Sequence, residues 1–256
     1  MPYETVDGVR LYYEDIGTGS PVLLLHNAFG TGRSVFAGTI EFLAERGHRV
    51  LAPDLRGYGR SRPPARDFPD DYYRRDMSDV SALLHALNLP PVQVVGLSDG
   101  GVVGLLLAVE HPEQVRSLLT WAANADFPPE EHGLYEGLRD AARSLDFLNL
   151  MFERHGMESD EARAMLAGFV ERALLITEGS GDVGLGGRLG QIQAPVLIGY
   201  GERGDFLPTR HADILRREIP HADLWLVPRV GHFWPVSPEG REMFARHVLE
   251  WLARHE

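Results

Sequence analysis

The stretch VQVVGLSDGG at residues 92–101 ends a β-branched run on a serine that stands between two glycines. The letters VQVV are typical of a buried strand, and the apolar run that follows Ser98 is typical of a helix. A serine on so sharp a strand-to-helix turn is held in a strained conformation with its hydroxyl above the sheet. The free NH groups at the start of the helix favour negative charge that develops there. We therefore expect Ser98 to be a nucleophile, an ordinary turn serine being the alternative that so short a motif leaves open.

Strand-like and helix-like segments alternate on both sides of this turn. The strand-like runs span residues 10–17, 21–26, 48–54, 92–98, 116–123, 194–202 and 222–228, and the helix-like runs span residues 34–47, 72–88, 100–115 and 239–255. Strands that alternate with helices pair in parallel, because each helix returns the chain to the same end of the sheet. The sequence therefore predicts an α/β fold with a mostly parallel central sheet flanked by helices.

The alternation stops between residues 124 and 190. Apolar residues recur there at helical spacing, for example Met165 and Phe169, and the segment ends in the glycine-rich TEGSGDVGLGGRLG. We expect one folding unit, in which residues 1–123 and 191–256 form the core. Residues 124–190 are expected to form a helical cap, or lid, inserted before the penultimate strands.

The composition excludes several classes of chemistry. The chain has no cysteine, and all 25 of its basic residues are arginine, so thiol nucleophiles, thiolate metal sites and Schiff-base lysines are excluded. A net charge of −12 argues against nucleic-acid and membrane-surface partners. The first residues have no basic segment followed by an apolar run, and no apolar run is long enough to cross a bilayer, so we expect a soluble protein without a secretion signal. We expect a cytoplasmic protein that acts on a small molecule with no cofactor and no metal, and the sequence gives no oligomeric state.

A serine nucleophile needs a base, and the base needs a carboxylate that orients it. Most of the 11 histidines lie in helical stretches, whereas His232 follows the last strand on a flexible loop after Gly231. Asp205 follows the penultimate strand. The ends of parallel strands meet at one edge of a sheet, so Ser98, Asp205 and His232 are predicted to be the catalytic residues.

These motifs together resemble the α/β-hydrolase superfamily over nearly the whole chain. The motifs that stand in the usual order of the family are LLLHNAFG, APDLRGYGRS, VVGLSDGG, HPEQVRSLL, APVLIGYGERGD and VPRVGHF. The SDGG continuation and the later LPTRHADIL look most like the valacyclovirase (biphenyl hydrolase-like) branch, whose layout small carboxylesterases and enol-lactonases share. The resemblance implies an α/β-hydrolase fold and a serine esterase that cleaves a small carboxylic ester through an acyl-enzyme. That substrate class includes lactones and the esters of α-amino acids.

The resemblance also implies an oxyanion hole made by the backbone NH groups of Ala28 and Asp99. Asn27 stands where family members usually have glycine. Because asparagine tolerates positive φ better than most residues, we expect the turn to persist and the site to be reshaped. His26 and Asp54 are expected to brace loops rather than to catalyse.

The acid departs from the family spacing, which would put the carboxylate at Gly204 instead of Asp205. Asp126 occupies another position from which some relatives supply the acid, so it remains the alternative to Asp205. In the valacyclovirase branch the residue that matches Asp99 is thought to bind a substrate amino group. A helix N-terminal acid that interacts with the helix dipole is the other interpretation of Asp99.

Some other activities that occur on this fold can be distinguished by the residue at the nucleophile position. Haloalkane dehalogenases and epoxide hydrolases use an aspartate nucleophile at the elbow, where this chain has serine. Perhydrolase and carbon–carbon bond hydrolase activity on the same triad stay open, as does a non-hydrolytic ligand-binding or receptor protein. The remaining candidates for substrate binding, beside Asp99, are Asn27, Phe29, Phe127 and Trp234.

Overall fold

A computed structural model describes residues 3–256, apart from the side chain of Ala142, so Met1 and Pro2 of the predicted core range lie outside the described residues. Within that range eight strands form a sheet in the order β1-β2-β4-β3-β5-β6-β7-β8. The strands are β1 (Tyr3–Val6), β2 (Val9–Ile16), β3 (Ser20–Leu25), β4 (His48–Pro53), β5 (Val92–Leu97), β6 (Val115–Trp121), β7 (Val196–Gly201) and β8 (Asp223–Val227).

Helices cover both faces of this sheet and the segment before β7. They are α1 (Gly32–Phe36), α2 (Thr39–Ala44), α3 (Tyr72–Ala86), α4 (Asp99–Glu110), α5 (His132–Leu138), α6 (Leu145–His155), α7 (Ser159–Glu178), α8 (Arg210–Glu218) and α9 (Arg241–Ala253). Among the helices of residues 3–256, none combines the length and the apolar character that a membrane span requires.

The sheet is antiparallel only at its first edge. β1 pairs with β2 and β2 pairs with β4 in antiparallel fashion, and the pairs from β4 onward are parallel. The central strands are buried on both faces, which explains their continuous apolar runs. The predicted α/β class with a mostly parallel sheet is confirmed, and the loops after β3, β5, β7 and β8 meet at one edge.

Two local predictions differ from the structure. The single helix predicted over residues 34–47 is wrong, because Gly38 has φ 83° and separates α1 from α2. The first strand, β1, was not predicted. Asp7 and Gly8, with φ 46° and 78°, form the turn that joins β1 to β2. An Asp-Gly pair between extended segments is a known hairpin signal, so the sequence did contain a pointer to β1.

The segment 124–190 contains α5, α6 and α7, which lie over the edge of the sheet where Ser98 stands. The buried face of α7 repeats at helical spacing, and its members include Ala162, Met165, Phe169 and Ala173. Side chains from the segment and from the core line one shared cavity of about 420 Å³.

Candidate active site

Ser98 forms the turn between β5 and α4. Its backbone has φ 54° and ψ −119°, a left-handed conformation that costs a non-glycine residue energy. Its NH donates to the Trp121 carbonyl at 2.8 Å, which anchors the turn to β6. A Cβ at Gly96 would lie 2.3 Å from the Gly100 carbonyl oxygen, so only glycine permits this approach of strand and helix. The local sequence thus produces the elbow that the motif predicts.

The two predicted oxyanion donors lie beside Ser98. Ala28 follows β3 and Asp99 opens α4, and both residues line the same cavity as Ser98. The first NH groups of a helix have no partner within the helix. Among the described residues, we find no acceptor for the Ala28 NH either. Both NH groups are therefore free to bind an oxyanion.

Asn27 stabilises the loop after β3, but not through the positive φ that was predicted. Its φ does not lie in the left-handed region, so the expected need for a positive φ at this residue is wrong. Instead its carbonyl accepts from the Gly30 NH at 3.2 Å and from Nδ1 of His26 at 2.8 Å. The Asn27 side chain lines the cavity, and its Oδ1 is buried without a hydrogen-bond partner among the described residues.

His26 and Asp54 brace the neighbouring loops, as expected. Nε2 of His26 accepts from the Leu55 NH at 3.0 Å, and burial lowers the pKa of His26 to about 3. The Asp54 carboxylate accepts from the NH groups of Gly32 and Arg60 at 3.0 and 2.9 Å. Burial raises the pKa of Asp54 to about 6. Neither residue lines the cavity around Ser98.

His232 lies on the loop after β8 and faces the same cavity as Ser98. The indole NH of Trp121 donates to its carbonyl at 2.9 Å, and the Phe206 and Phe233 rings lie 4.9 and 4.7 Å from the imidazole. Burial among these rings lowers the pKa of His232 to about 4. The imidazole has no hydrogen bond to Ser98 in this state, and such bonds often form only when substrate binds.

Asp205 reaches the His232 loop but not the imidazole. Its Oδ1 accepts from the His232 backbone NH at 2.9 Å, and neither ring nitrogen lies within 4.0 Å of the carboxylate. Nδ1 of His232 is buried and has no hydrogen-bond partner among the described residues. The negative charge of Asp205 opposes the effect of burial on the His232 pKa. The structure thus brings Asp205 beside the predicted base without forming the expected ring contact.

Asp126, the alternative acid, faces a different histidine. Its Oδ1 lies 2.7 Å from Nη2 of Arg210 and 3.4 Å from Nδ1 of His211. His211 is fully buried and also lies 2.8 Å from Glu131. This group holds the start of the helical segment against α8, away from His232.

Asp99 presents its carboxylate to the cavity from the first turn of α4. Its Oδ1 accepts a short hydrogen bond from the hydroxyl of Tyr73 on α3. Burial raises the pKa of Asp99, an effect that the Tyr73 hydrogen bond and the nearby Arg66 charge oppose. Arg66 is itself paired with Asp76 at 2.7 Å. Tyr73 was not predicted as a site residue, because nothing in the helical pattern around it indicates which carboxylate its hydroxyl contacts.

The walls of the cavity are mainly apolar. Of the predicted substrate-binding residues, Asn27, Phe29, Phe127 and Asp99 line it. Trp234 does not, which corrects that prediction: its ring packs 5.4 Å from the Trp121 ring, among core aromatics. The wall residues that sequence reasoning missed include Asn124, Tyr135, Phe147, Arg154, Phe206 and Phe233. Helical periodicity marks the buried face of a helix, but not which part of that face borders a cavity.

Comparisons with known proteins agree on the fold. A sequence model of the α/β-hydrolase fold family matches residues 21–175. Serine hydrolase BPHL of Mus musculus is 32% identical over 241 residues, which cover 89% of this chain and 78% of that protein. The 2-hydroxymuconate semialdehyde hydrolase of Pseudomonas sp. (strain CF600) is 28% identical, and the match covers 96% and 91% of the two chains. An esterase from Exiguobacterium antarcticum superposes with a TM-score of 0.78 at 23% identity over 98% of each chain, which supports the fold alone. The resemblance found in the sequence is confirmed.

Proposed function

This chain belongs to the α/β-hydrolase family and is a serine hydrolase, and on that premise we propose that it cleaves small carboxylic esters through an acyl-enzyme on Ser98. One observation carries the proposal. Ser98, strained at the end of β5, faces a cavity that also holds His232 and the residues whose NH groups are free to bind an oxyanion, Ala28 and Asp99. Nucleophile, base and oxyanion donors are the groups that acyl transfer requires.

The reaction begins when the Ser98 oxygen attacks the ester carbonyl and His232 takes its proton. Because burial lowers the pKa of His232 to about 4, the imidazole is neutral at pH 7 and accepts that proton. The NH groups of Ala28 and Asp99 stabilise the oxyanion. His232 then protonates the leaving alcohol, and water hydrolyses the acyl-enzyme with His232 again acting as the base.

Asp205 is the carboxylate that we assign to the triad. It already holds the loop of His232 through the backbone NH, and its charge favours the imidazolium that forms during the reaction. We propose that rotation of either side chain during the reaction brings the unpartnered Nδ1 of His232 to this carboxylate. Asp126 is engaged by Arg210 and His211 and is not the partner that we propose.

Esters of α-amino acids form the favoured subclass. The Asp99 carboxylate lies directly after the nucleophile and borders the cavity, and one of its oxygens is held by Tyr73. Among the described residues, no side chain other than Tyr73 donates a hydrogen bond to this carboxylate. An ammonium group beside the scissile ester would form a charge-assisted hydrogen bond with it.

The segment 124–190 serves as the lid of this site. Its side chains, among them Leu150, Leu166 and Phe169, form the wall opposite Ser98. A lid of this kind excludes water from the acyl-enzyme and sets which substrates enter. The substrate is a small molecule, since the cavity of about 420 Å³ has the size of small-ligand pockets.

Hydrolysis of a carbon–carbon bond is the second candidate function. The observation that favours it is the match to 2-hydroxymuconate semialdehyde hydrolase over 96% of this chain. The same nucleophile and base would serve that reaction. Turnover of 2-hydroxymuconate semialdehyde, followed by absorbance, tests it: a Ser98-dependent rate above the ester rates would replace the ester proposal.

The ester proposal is tested with wild type and Ser98→Ala, assayed on an activated neutral short-chain ester and on an α-amino acid ester of the same alcohol. We expect cleavage of both by wild type, faster for the amino ester, and none by a folded Ser98→Ala. Cleavage by Ser98→Ala would refute Ser98 as nucleophile. No cleavage of either ester by wild type would refute the ester proposal and favour the carbon–carbon or the non-hydrolytic function.

A further inference from the structure

Arg154, near the end of α6, borders the active-site cavity without a carboxylate partner. Of the arginines in residues 3–256 that are not exposed, all but Arg154 and Arg241 have a carboxylate within 4.0 Å. Arg241 does not border the cavity. A charge that is partly removed from water is ordinarily paired, so an unpaired guanidinium on a cavity wall requires an explanation.

The guanidinium has donors to spare. Nη1 of Arg154 donates to the Phe29 carbonyl at 3.1 Å, and no other acceptor for its N–H groups lies within the described residues. A guanidinium has five N–H donors in a planar fork. The remaining nitrogens are not fully enclosed by protein atoms, and Arg154 is a wall residue of the active-site cavity. Burial lowers the pKa of Arg154, yet a guanidinium remains charged at any physiological pH.

Arg154 lies between two cavities that differ in their charged wall residues. Arg154 also borders a second cavity, whose other charged wall residues are the acids Glu14, Asp54 and Glu153 and the arginines Arg33 and Arg60. In the active-site cavity the other charged wall residue is Asp99, and it does not pair with Arg154 within 4.0 Å. The remaining walls are mainly apolar, so a charge there is weakly screened.

We propose that Arg154 is an anion subsite of the active-site cavity and that the substrate is an ester carrying a carboxylate away from the scissile bond. The proposal rests on the proposed ester hydrolysis and names its substrate class. The planar fork matches the two oxygens of a carboxylate, and such paired hydrogen bonds are among the strongest in proteins. The apolar walls hold the chain that joins the carboxylate to the ester.

A positioning role is the competing account of Arg154. Phe29 follows Ala28, so the hydrogen bond to its carbonyl connects α6 to the oxyanion loop. Nε2 of His155 reaches the same carbonyl at 3.3 Å, and Nδ1 of His155 accepts from the Gly59 NH at 3.1 Å. The two accounts differ in their kinetic signature. Loss of positioning lowers kcat for every ester, whereas loss of an anion subsite raises KM for charged esters alone.

The kinetic test uses two pairs of esters. Monomethyl adipate and methyl hexanoate differ by a carboxylate at the end of the acyl chain, and O-acetylglycolate and ethyl acetate differ by one on the alcohol side. Wild type, Arg154→Met and Arg154→Lys are compared in a pH-stat. Arg163→Met is the matched control, because Arg163 is exposed on α7 and pairs with Asp160.

We expect Arg154→Met to lower kcat/KM for at least one charged ester about tenfold to a hundredfold more than for its neutral partner, mainly through KM. Arg154→Lys retains the positive charge without the planar fork, so its charged-to-neutral ratio of kcat/KM should lie between those of wild type and Arg154→Met. Arg163→Met should leave the charged-to-neutral ratio unchanged. A charged-to-neutral ratio that is the same in wild type and Arg154→Met for both pairs would overturn the proposal, and an equal loss in kcat for all esters would assign Arg154 a positioning role.

Binding separates this proposal from the proposed function. Calorimetry on Ser98→Ala measures binding without turnover. Monomethyl adipate and O-acetylglycolate should bind to this variant, and the added Arg154→Met substitution should weaken their binding at least about tenfold. If wild type hydrolyses none of the esters, ester hydrolysis fails while Arg154-dependent binding still supports the subsite. Binding of both charged esters that Arg154→Met leaves unchanged would refute the subsite, whatever the rates.

Discussion

Asp99→Asn removes a charge from the active-site cavity while keeping the shape of the side chain. The Tyr73 hydroxyl donates to Oδ1 of Asp99, and an asparagine oxygen at that position still accepts this bond. The second carboxylate oxygen, which we assign to the ammonium group of an α-amino ester, becomes an amide NH₂. The variant therefore exchanges an attractive group for one that repels a cation, with little change in packing.

The size of the expected loss in amino-ester hydrolysis follows from the surroundings of Asp99. A carboxylate and an ammonium at 4 Å attract by about 4 kcal/mol at an effective dielectric constant of 20. Desolvation of the ammonium in the mainly apolar cavity offsets part of this energy, and hydrogen bonds to charged groups contribute about 1.5–3 kcal/mol net. We therefore expect kcat/KM for an amino ester to fall about tenfold to a hundredfold, with a much smaller change for a neutral ester.

Alanine methyl ester and methyl isobutyrate provide the assay, because they differ only by ammonium in place of methyl. Wild type, Asp99→Asn and the exposed control Asp160→Asn are compared in a pH-stat. Burial raises the pKa of Asp99, so the preference for the amino ester should be full between that raised pKa and the pKa of the substrate amino group, and be lost as the pH falls through the pKa of Asp99. Equal losses on both esters in Asp99→Asn would refute the assignment of an amino-group subsite.

Three other changes test separate parts of the structure. Asp205→Asn should lower kcat about ten-thousandfold while Asp126→Asn leaves it near wild type, and the reverse result in steady-state assays would assign the acid to Asp126. A Cβ at Gly100 would lie 2.1 Å from a strand carbonyl oxygen. Gly100→Ala should therefore cost about 1–3 kcal/mol of unfolding free energy, and an unchanged thermal midpoint would contradict this close packing. The pKa values of His26 and His232, about 3 and about 4, lie below the usual 6.5. From pH 6.5 downward the unfolded chain binds protons that the folded chain does not, so each histidine should lower the unfolding free energy by up to about 1.4 kcal/mol per pH unit. Urea unfolding at stepped pH measures this slope, and His232→Asn should flatten it; an unchanged slope would contradict the buried, neutral state of His232.

The parts of the site that local sequence determines could be predicted. The strained turn at Ser98 follows from a β-branched run, two glycines and an apolar helix, all within ten residues of each other. The proximity of Asp205 to the His232 loop could be predicted because each residue follows a strand of a parallel sheet, whose strand ends meet at one edge. Topology alone, however, does not determine side-chain rotamers, which is why the contact of Asp205 with the backbone NH of His232 was not foreseen.

The parts that depend on packing between distant segments could not be predicted. Tyr73 reaches Asp99 from α3, and Arg154 reaches the Phe29 carbonyl from α6. Both come from helices whose angle on the sheet no local pattern determines. Trp234 was misassigned for the same reason, since its position after His232 is adjacent to the site in sequence while its ring packs into the core.

Trapping of the acyl-enzyme is the most direct test of Ser98 as the nucleophile. Wild type and Ser98→Ala are mixed with 4-nitrophenyl hexanoate, quenched with acid at short times, and digested for mass spectrometry. We expect a burst of nitrophenol and a hexanoyl group on Ser98 of wild type, with neither in Ser98→Ala. Ester turnover without an acyl group on Ser98, or acylation of another residue that survives in Ser98→Ala, would contradict this assignment.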